Sequence, residues 1–245
     1  LSILPVGLTR LAQPAPPAAA SVALAKAWRV SPVGVAGMLA VGGLTMTISG
    51  FAPIHATAKG YSQNDVALLL AAMPVGTLVL QMPLGWMSDR TDRRYVLIFA
   101  SLLAAAAGVL ALGFDGGALA ALILVHLAWD GAAESVYSLA TAHASDRATR
   151  DDLVALSSSL LFAWSVAGFV VPGIITLLSA LYGTQVFIHV AVAIALAYAL
   201  FVAWRVDSAR PAAATASFAP MAAQAPPPVD LAFAADGEAS RRTEP

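Results

Sequence analysis

The sequence predicts an all-α membrane protein built on six transmembrane helices, and three observations predict it. Of the 245 residues, 59% are hydrophobic and only 11% are charged, against about 25% charged in an ordinary soluble domain. The charges sit in short clusters between long apolar runs, a distribution that in water would leave large aggregating patches. Six of those runs reach the roughly 20 residues a helix needs to cross a hydrocarbon core about 30 Å thick.

The runs lie at 33–54, 65–87, 95–114, 118–142, 153–181 and 185–205. In lipid every backbone polar group must bond within a helix or a closed barrel, and uninterrupted apolar runs exclude the alternation of barrel strands. Polar and charged residues fill the connections at 55–64 and 88–94, whereas Asp115-Gly116-Gly117 and Tyr182-Gly183-Thr184 predict tight turns between antiparallel neighbours. The first span contains Gly42-Gly43, Thr45, Thr47 and Ser49, small and weakly polar residues suited to close packing beside a cavity. The second carries Pro74, Gln81 and Pro83. The fifth carries Ser157-Ser158-Ser159, Trp164, Ser165 and Pro172, which predicts a kink near the proline. The third is almost pure Leu and Ala and the sixth has little polarity besides His189, so both are expected to face lipid.

Orientation follows from Lys and Arg, which accumulate on the cytoplasmic side. With the amino terminus inside, Arg10, Lys26, Arg29, Arg90, Arg93, Arg94, Arg147, Arg150, Arg205, Arg210, Arg241 and Arg242 are cytoplasmic, and of the 13 basic residues Lys59 alone is outside. A multi-pass protein of the inner (plasma) membrane with both ends cytoplasmic is expected. Residues 9–25 and 208–245 are rich in Ala and Pro and have no apolar periodicity to offset their ordering entropy, so both are expected to lack structure. Residues 1–8 read as the end of a preceding membrane helix, 9–29 as a cytoplasmic linker, 30–206 as the six-helix unit and 207–245 as a tail. Nothing positive precedes the apolar Leu1–Leu8, unlike a signal peptide, and the expectation is a chain that starts inside a longer protein. The absence of cysteine excludes disulfides and thiolate metal sites. The formal charge of −1 gives no reason to expect a nucleic-acid partner.

The fourth span holds a polar stripe. His126, Asp130, Glu134 and Tyr137 are four, four and three residues apart, which places them on one helix face about 80° wide. Ionised Asp at mid-membrane costs about 2.5–3.5 kcal/mol even on a lenient scale, so such residues face a cavity or a partner. Three readings stand: a substrate or proton pathway, with Asp130 and Glu134 exchanging protons beside His126 and Tyr137; interhelical glue; or a metal site using His126, Asp130 and Glu134. No Lys or Arg lies in the interior of any span to serve as counter-ion. His55, Lys59 and His189 read as ordinary residues of the outer side, and His143 with Asp146 as a cap of an inner loop.

The loop between the second and third spans reads Gly85-Trp86-Met87-Ser88-Asp89-Arg90-Thr91-Asp92-Arg93-Arg94. As a plain sequence it is a positive-inside loop with balancing acids. It also resembles the G-x-x-x-D-R-x-G-R-R signature of the major facilitator superfamily, with Asp92 in the usual glycine position. The stretch Tyr137-Ser138-Leu139-Ala140-Thr141-Ala142-His143-Ala144-Ser145-Asp146-Arg147, followed by a helix with Gly168 and Pro172-Gly173, is similar to one bacterial branch that has A-H-A-[NS]-D-R after helix ten.

The resemblance implies helices seven to twelve of that family, a carboxy-terminal half of 3+3 inverted-repeat plan. It implies secondary active transport of a small solute by alternating access, with Gly85, Asp89, Arg90, Arg93 and Arg94 as a conformational-gate loop. Proton coupling through the stripe is the accompanying expectation, with no enzymatic activity and no cofactor. The partners expected are the bilayer, a small-molecule substrate and the missing amino-terminal half. Two rivals remain at this point, an intramembrane metalloenzyme built on the stripe and a non-transporting membrane fragment.

Overall fold

A computed structural model describes residues 22–113, 118–149 and 152–208. Seven helices run through them: α1 (Leu24–Val30), α2 (Pro32–Ala58), α3 (Gln63–Arg90), α4 (Arg93–Leu112), α5 (Leu119–Ser145), α6 (Leu153–Tyr182) and α7 (Val186–Ser208). All but α1 are long and apolar enough to cross a membrane, so the chain is an all-α, multi-pass membrane protein. The shortest of the six, α4, has 20 residues, which at 1.5 Å each span about 30 Å. The Asp115-Gly116-Gly117 turn, Arg150, residues 1–21 and residues 209–245 lie outside the described residues.

Local chemistry sets the helix ends. Ser31 caps α2 by accepting from the Gly34 N–H at 3.1 Å, with Pro32 at the first helical position, where its missing N–H matters least. Ser62 and Asp65 form a reciprocal capping box at the start of α3. Gly60 and Gly183, with φ of +88° and +83°, end α2 and α6 in a conformation that a Cβ would strain. Four helices overrun their predicted ends by three residues or more: α2 reaches Ala58, α3 Arg90, α5 Ser145 and α7 Ser208. Water-facing turns beyond the lipid carry polar residues that hydropathy alone does not read as helix. α6 continues as helix through Pro172, and the Thr176 hydroxyl donates to the Pro172 carbonyl at 2.9 Å. The stretch expected to lack structure ends earlier than predicted, because Leu24 and Ala25 already belong to α1.

α2 and α5 form the centre. α5 packs against α2, α3 and α4; α2 also packs against α6 and α7; and α4 packs against α7. One cluster of the core holds Met38, Val41, Leu97, Val136, Tyr137 and Leu160. A second holds Leu44, Ile48, Trp129, Ile175 and Phe187, with the Trp129 and Phe187 rings stacked 5.8 Å apart. Apolar composition led α4 and α7 to be expected at the lipid, yet one face of each is covered by the other and by α5 or α2. The least covered helices are α3 and α6, where Leu78, Met82, Phe169 and Leu177 stand exposed. A run of Leu and Ala suits an apolar neighbour as well as it suits lipid, so composition does not separate the two.

Candidate functional site

The helix directions collect Lys26, Arg29, Arg90, Arg93, Arg94, Arg147 and Arg205 at one end of the bundle and leave Lys59 at the other. At the arginine-rich end the signature loop is locked by charge. Arg93 is 2% exposed; its Nε donates to Asp146 Oδ2 at 2.7 Å and its Nη1 to Ser88 Oγ at 2.9 Å. Asp146 belongs to the A-H-A-S-D-R stretch, so this buried bridge joins the two segments that carried the family resemblance. Asp89 sits half exposed one turn before Arg93, its Oδ1 3.8 Å from Arg93 Nη1. Arg90 lies at the surface with its guanidinium 4.0 Å over the Trp86 ring. Gly85 is buried on α3.

Arg94 is gripped by Asp92 through Nε and Nη2, at 3.0 and 2.7 Å. Its Nη1 reaches across to the carbonyls of Arg205 and Val206, both at 3.2 Å, closing the end of α7. Burial pushes the Asp92 carboxyl up, but the hydrogen bonds and charge of Arg94 outweigh this and hold it below the usual range. The departure from glycine at this position costs the backbone nothing: Asp92 has φ −63° and ψ 121°, an extended conformation, and it caps α4 by accepting from the Arg94 N–H. His143 does not meet Asp146; its Nδ1 accepts from Arg147 Nη1 at 3.1 Å.

The polar stripe on α5 is divided by the packing. Asp130 is 6% exposed and faces α3, where the Thr77 hydroxyl donates to its Oδ2 at 3.4 Å. His126, 3% exposed, instead borders a small pocket with residues of α2 and α4. Its Nδ1 lies 3.0 Å from the Leu122 carbonyl, which only accepts, so Nδ1 carries the hydrogen. Tyr137 is fully buried in the core cluster beside α2 and α4, and Glu134 is half-buried. Residues expected to line one cavity therefore meet three different neighbourhoods. Among the described residues, no three His, Asp or Glu side chains converge.

What draws Asp130 to α3 is a close helix crossing. A Cβ on Gly131 would overlap the Gly76 carbonyl, and one on Gly76 would overlap the Leu127 carbonyl, so the two backbones touch as small residues allow in membranes. Further along, Gln81 Nε2 donates to Ser138 Oγ at 2.5 Å, both groups buried. Thr77, Ser138 and Ser88 are the partners that sequence reasoning did not assign, and Asp146, expected to cap the inner loop with His143, holds Arg93 instead. The available signal was the four-residue spacing of Thr77 and Gln81 on α3 opposite the polar stripe on α5.

Comparison with known proteins agrees with this architecture. Residues 33–236 match the sequence model of the Major Facilitator Superfamily. An uncharacterized MFS-type transporter of Yersinia pestis (strain Pestoides F) is 26% identical over 179 residues, covering 73% of this chain and 46% of the relative. The uncharacterized MFS-type transporter YfkF of Bacillus subtilis (strain 168) is 38% identical over 64 residues, 26% of this chain and 16% of the relative. A third such transporter, from Enterobacter sp. (strain 638), is 25% identical over 171 residues, 69% of this chain and 43% of the relative. The chain spans about half the length of the relatives that match most of it. With six membrane-crossing helices, the signature loop tied to the end of α5, and a family match over most of its length, the chain belongs to the Major Facilitator Superfamily.

Proposed function

We propose that this chain is the carboxy-terminal six-helix half of a secondary transporter that moves a small solute across the inner membrane by alternating access, coupled to proton movement. The observation that carries the coupling is Asp130. It is buried in the middle of a membrane helix, its described hydrogen bond comes from a neutral hydroxyl, and Lys and Arg lie only at the ends of the spans, not in their interiors. An apolar surrounding tolerates the protonated acid far better than the carboxylate, so gain and loss of a proton would change the free energy of the α3–α5 contact. Glu134, one turn further along α5, is the second candidate, with His126 and Tyr137 in support.

The arginine-rich end is the cytoplasmic one by the positive-inside rule. The Gly85–Arg94 loop acts there as part of the gate, since charge holds it to α5 and α7. The uncovered apolar faces of α3 and α6 support a missing amino-terminal half as partner, and so does the half-length span of the relatives. The test is transport by the full-length protein carrying Asp130→Asn and, separately, Glu134→Gln. Loss of pH-dependent uptake in the Asp130 variant is expected; wild-type rate and pH dependence in both would overturn the coupling.

A further inference from the structure

The end of the bundle opposite the arginines holds a second set of polar groups that sequence reasoning treated as ordinary. A small pocket is lined there by His55 of α2, Lys59 and Tyr61 of the following turn, and His126 of α5, with alanines of α2 and α4 leaving the space between them. The rim residues His55, Lys59 and Tyr61 are half-exposed, whereas His126 forms a buried floor. Each imidazole is held by a hydrogen bond through its Nδ1. His55 Nδ1 is 2.9 Å from the Thr184 hydroxyl in the turn between α6 and α7, and its ring packs edge-on against Phe187. His126 Nδ1 is bonded to the Leu122 carbonyl, which leaves Nε2 as the nitrogen that takes up a proton.

Two further polar groups follow His126 along α5. Trp129 packs edge-on against His126 with ring centroids 5.6 Å apart, and its indole N–H is buried without a protein hydrogen-bond partner. A buried water is one way such a group is satisfied. Asp130 follows, one helical turn, or about 6 Å of rise, from His126.

We infer that this pocket is the port through which protons from the outer side reach Asp130, and that His55 belongs to the pathway together with His126. The inference rests on the proton-coupled reading of Asp130. A proton arriving at the rim is taken up on an imidazole nitrogen of His55 and passes to Nε2 of His126. It then moves through hydrogen-bonded water to the Asp130 carboxylate: the N–H bond of His126 breaks as an O–H bond forms on Asp130, and the imidazole returns to neutral. The charged and titratable groups facing His126 from the packed elements are His55, Lys59 and Tyr61; α4 contributes Ala111, and among the described residues no carboxylate lines the pocket. Asp65 is engaged in its own cap with Ser62. The two histidines therefore repel when both are charged, which favours passing a single proton inward.

The test is nitrogen-15 NMR of imidazole-labelled histidines in the full-length protein in nanodiscs, followed through about pH 5 to 8, where imidazole titrates. Single replacements of the four histidines in this chain assign their signals. His126 is expected to titrate, and to shift its midpoint in both His55→Asn and Asp130→Asn. His55→Asn retains a side-chain nitrogen in reach of Thr184, and His55→Gln serves if that variant does not fold. A His126 that stays neutral throughout, or whose titration ignores both partners, overturns the port whatever the transport assay reads. Failure of the underlying reading is seen separately, as an Asp130→Asn protein that transports with unchanged pH dependence, and the port falls with it.

Discussion

The two polar regions of this chain hold their charges in opposite ways. At the arginine-rich end, Arg93 and Arg94 are buried, and each has a carboxylate at 2.7 Å plus further hydrogen bonds to Ser88 or to the last carbonyls of α7. In mid-membrane, Asp130 is equally buried but has a neutral hydroxyl at 3.4 Å. The first arrangement is a fastening: each buried guanidinium is held by a carboxylate and by further acceptors at once. The second is poised, because an acid held by one long hydrogen bond loses little structure when it changes protonation. Charge satisfied on all sides suits a gate; charge barely satisfied suits a coupling site.

Substitutions separate the two regions, and the largest effect should fall on the fastening. Arg93→Ala should destabilise the protein by about 3 kcal/mol, the cost of breaking a buried ion pair from one side, read as a lower melting temperature in detergent. An Arg93→Met, Asp146→Leu double variant should recover most of that loss; if it melts like the single variant, the bridge is not what holds the loop. Gly131→Ala is next, at about 1–3 kcal/mol, because its methyl meets the Gly76 carbonyl rather than a movable side chain.

Asp130→Asn and Thr77→Val should each change stability by only about 0.6 kcal/mol, the usual worth of a hydrogen bond between membrane helices. Both should nonetheless alter the pH dependence of transport. A melting loss as large as that of Arg93→Ala would make Asp130 a structural residue and erase the contrast.

Acid should act on the fastening first. The Asp92 carboxyl lies below its ordinary range when folded, so its contribution is fully present above the unfolded value and is lost as pH falls through the folded one. Melting in wild type should therefore drop at pH values below the ordinary carboxylate range, and Asp92→Asn should flatten that drop. Smallest of all, Lys26→Ala should leave melting unchanged, since the Lys26–Asp152 pair at the start of α6 is solvent-exposed. A clear loss there would mean that α1 is fastened as firmly as the signature loop.

Much of this was legible in the residues alone. Length and apolarity define membrane helices because lipid leaves the backbone no other way to bond, so the six spans needed no tertiary information. The basic residues gather at one end for a reason also readable from the residues alone, because Lys and Arg are kept on the cytoplasmic side. Gly85–Arg94 was legible as a loop with a family likeness, and Asp130 as a residue needing a partner. Which partner was not legible. Helical spacing put His126, Asp130, Glu134 and Tyr137 on one face, but about 80° of arc is wide enough to meet three neighbours, and α5 has α2, α3 and α4 around it. Only packing sent Asp130 to Thr77 and His126 to the pocket with His55. The Arg93–Asp146 bridge joins positions 53 residues apart, and no local pattern pairs them. Sequence by itself determined what each segment must do to live in a membrane, because solvation acts on one residue at a time. Tertiary structure decided which polar groups meet, because that depends on where glycines such as Gly76 and Gly131 let two helices touch.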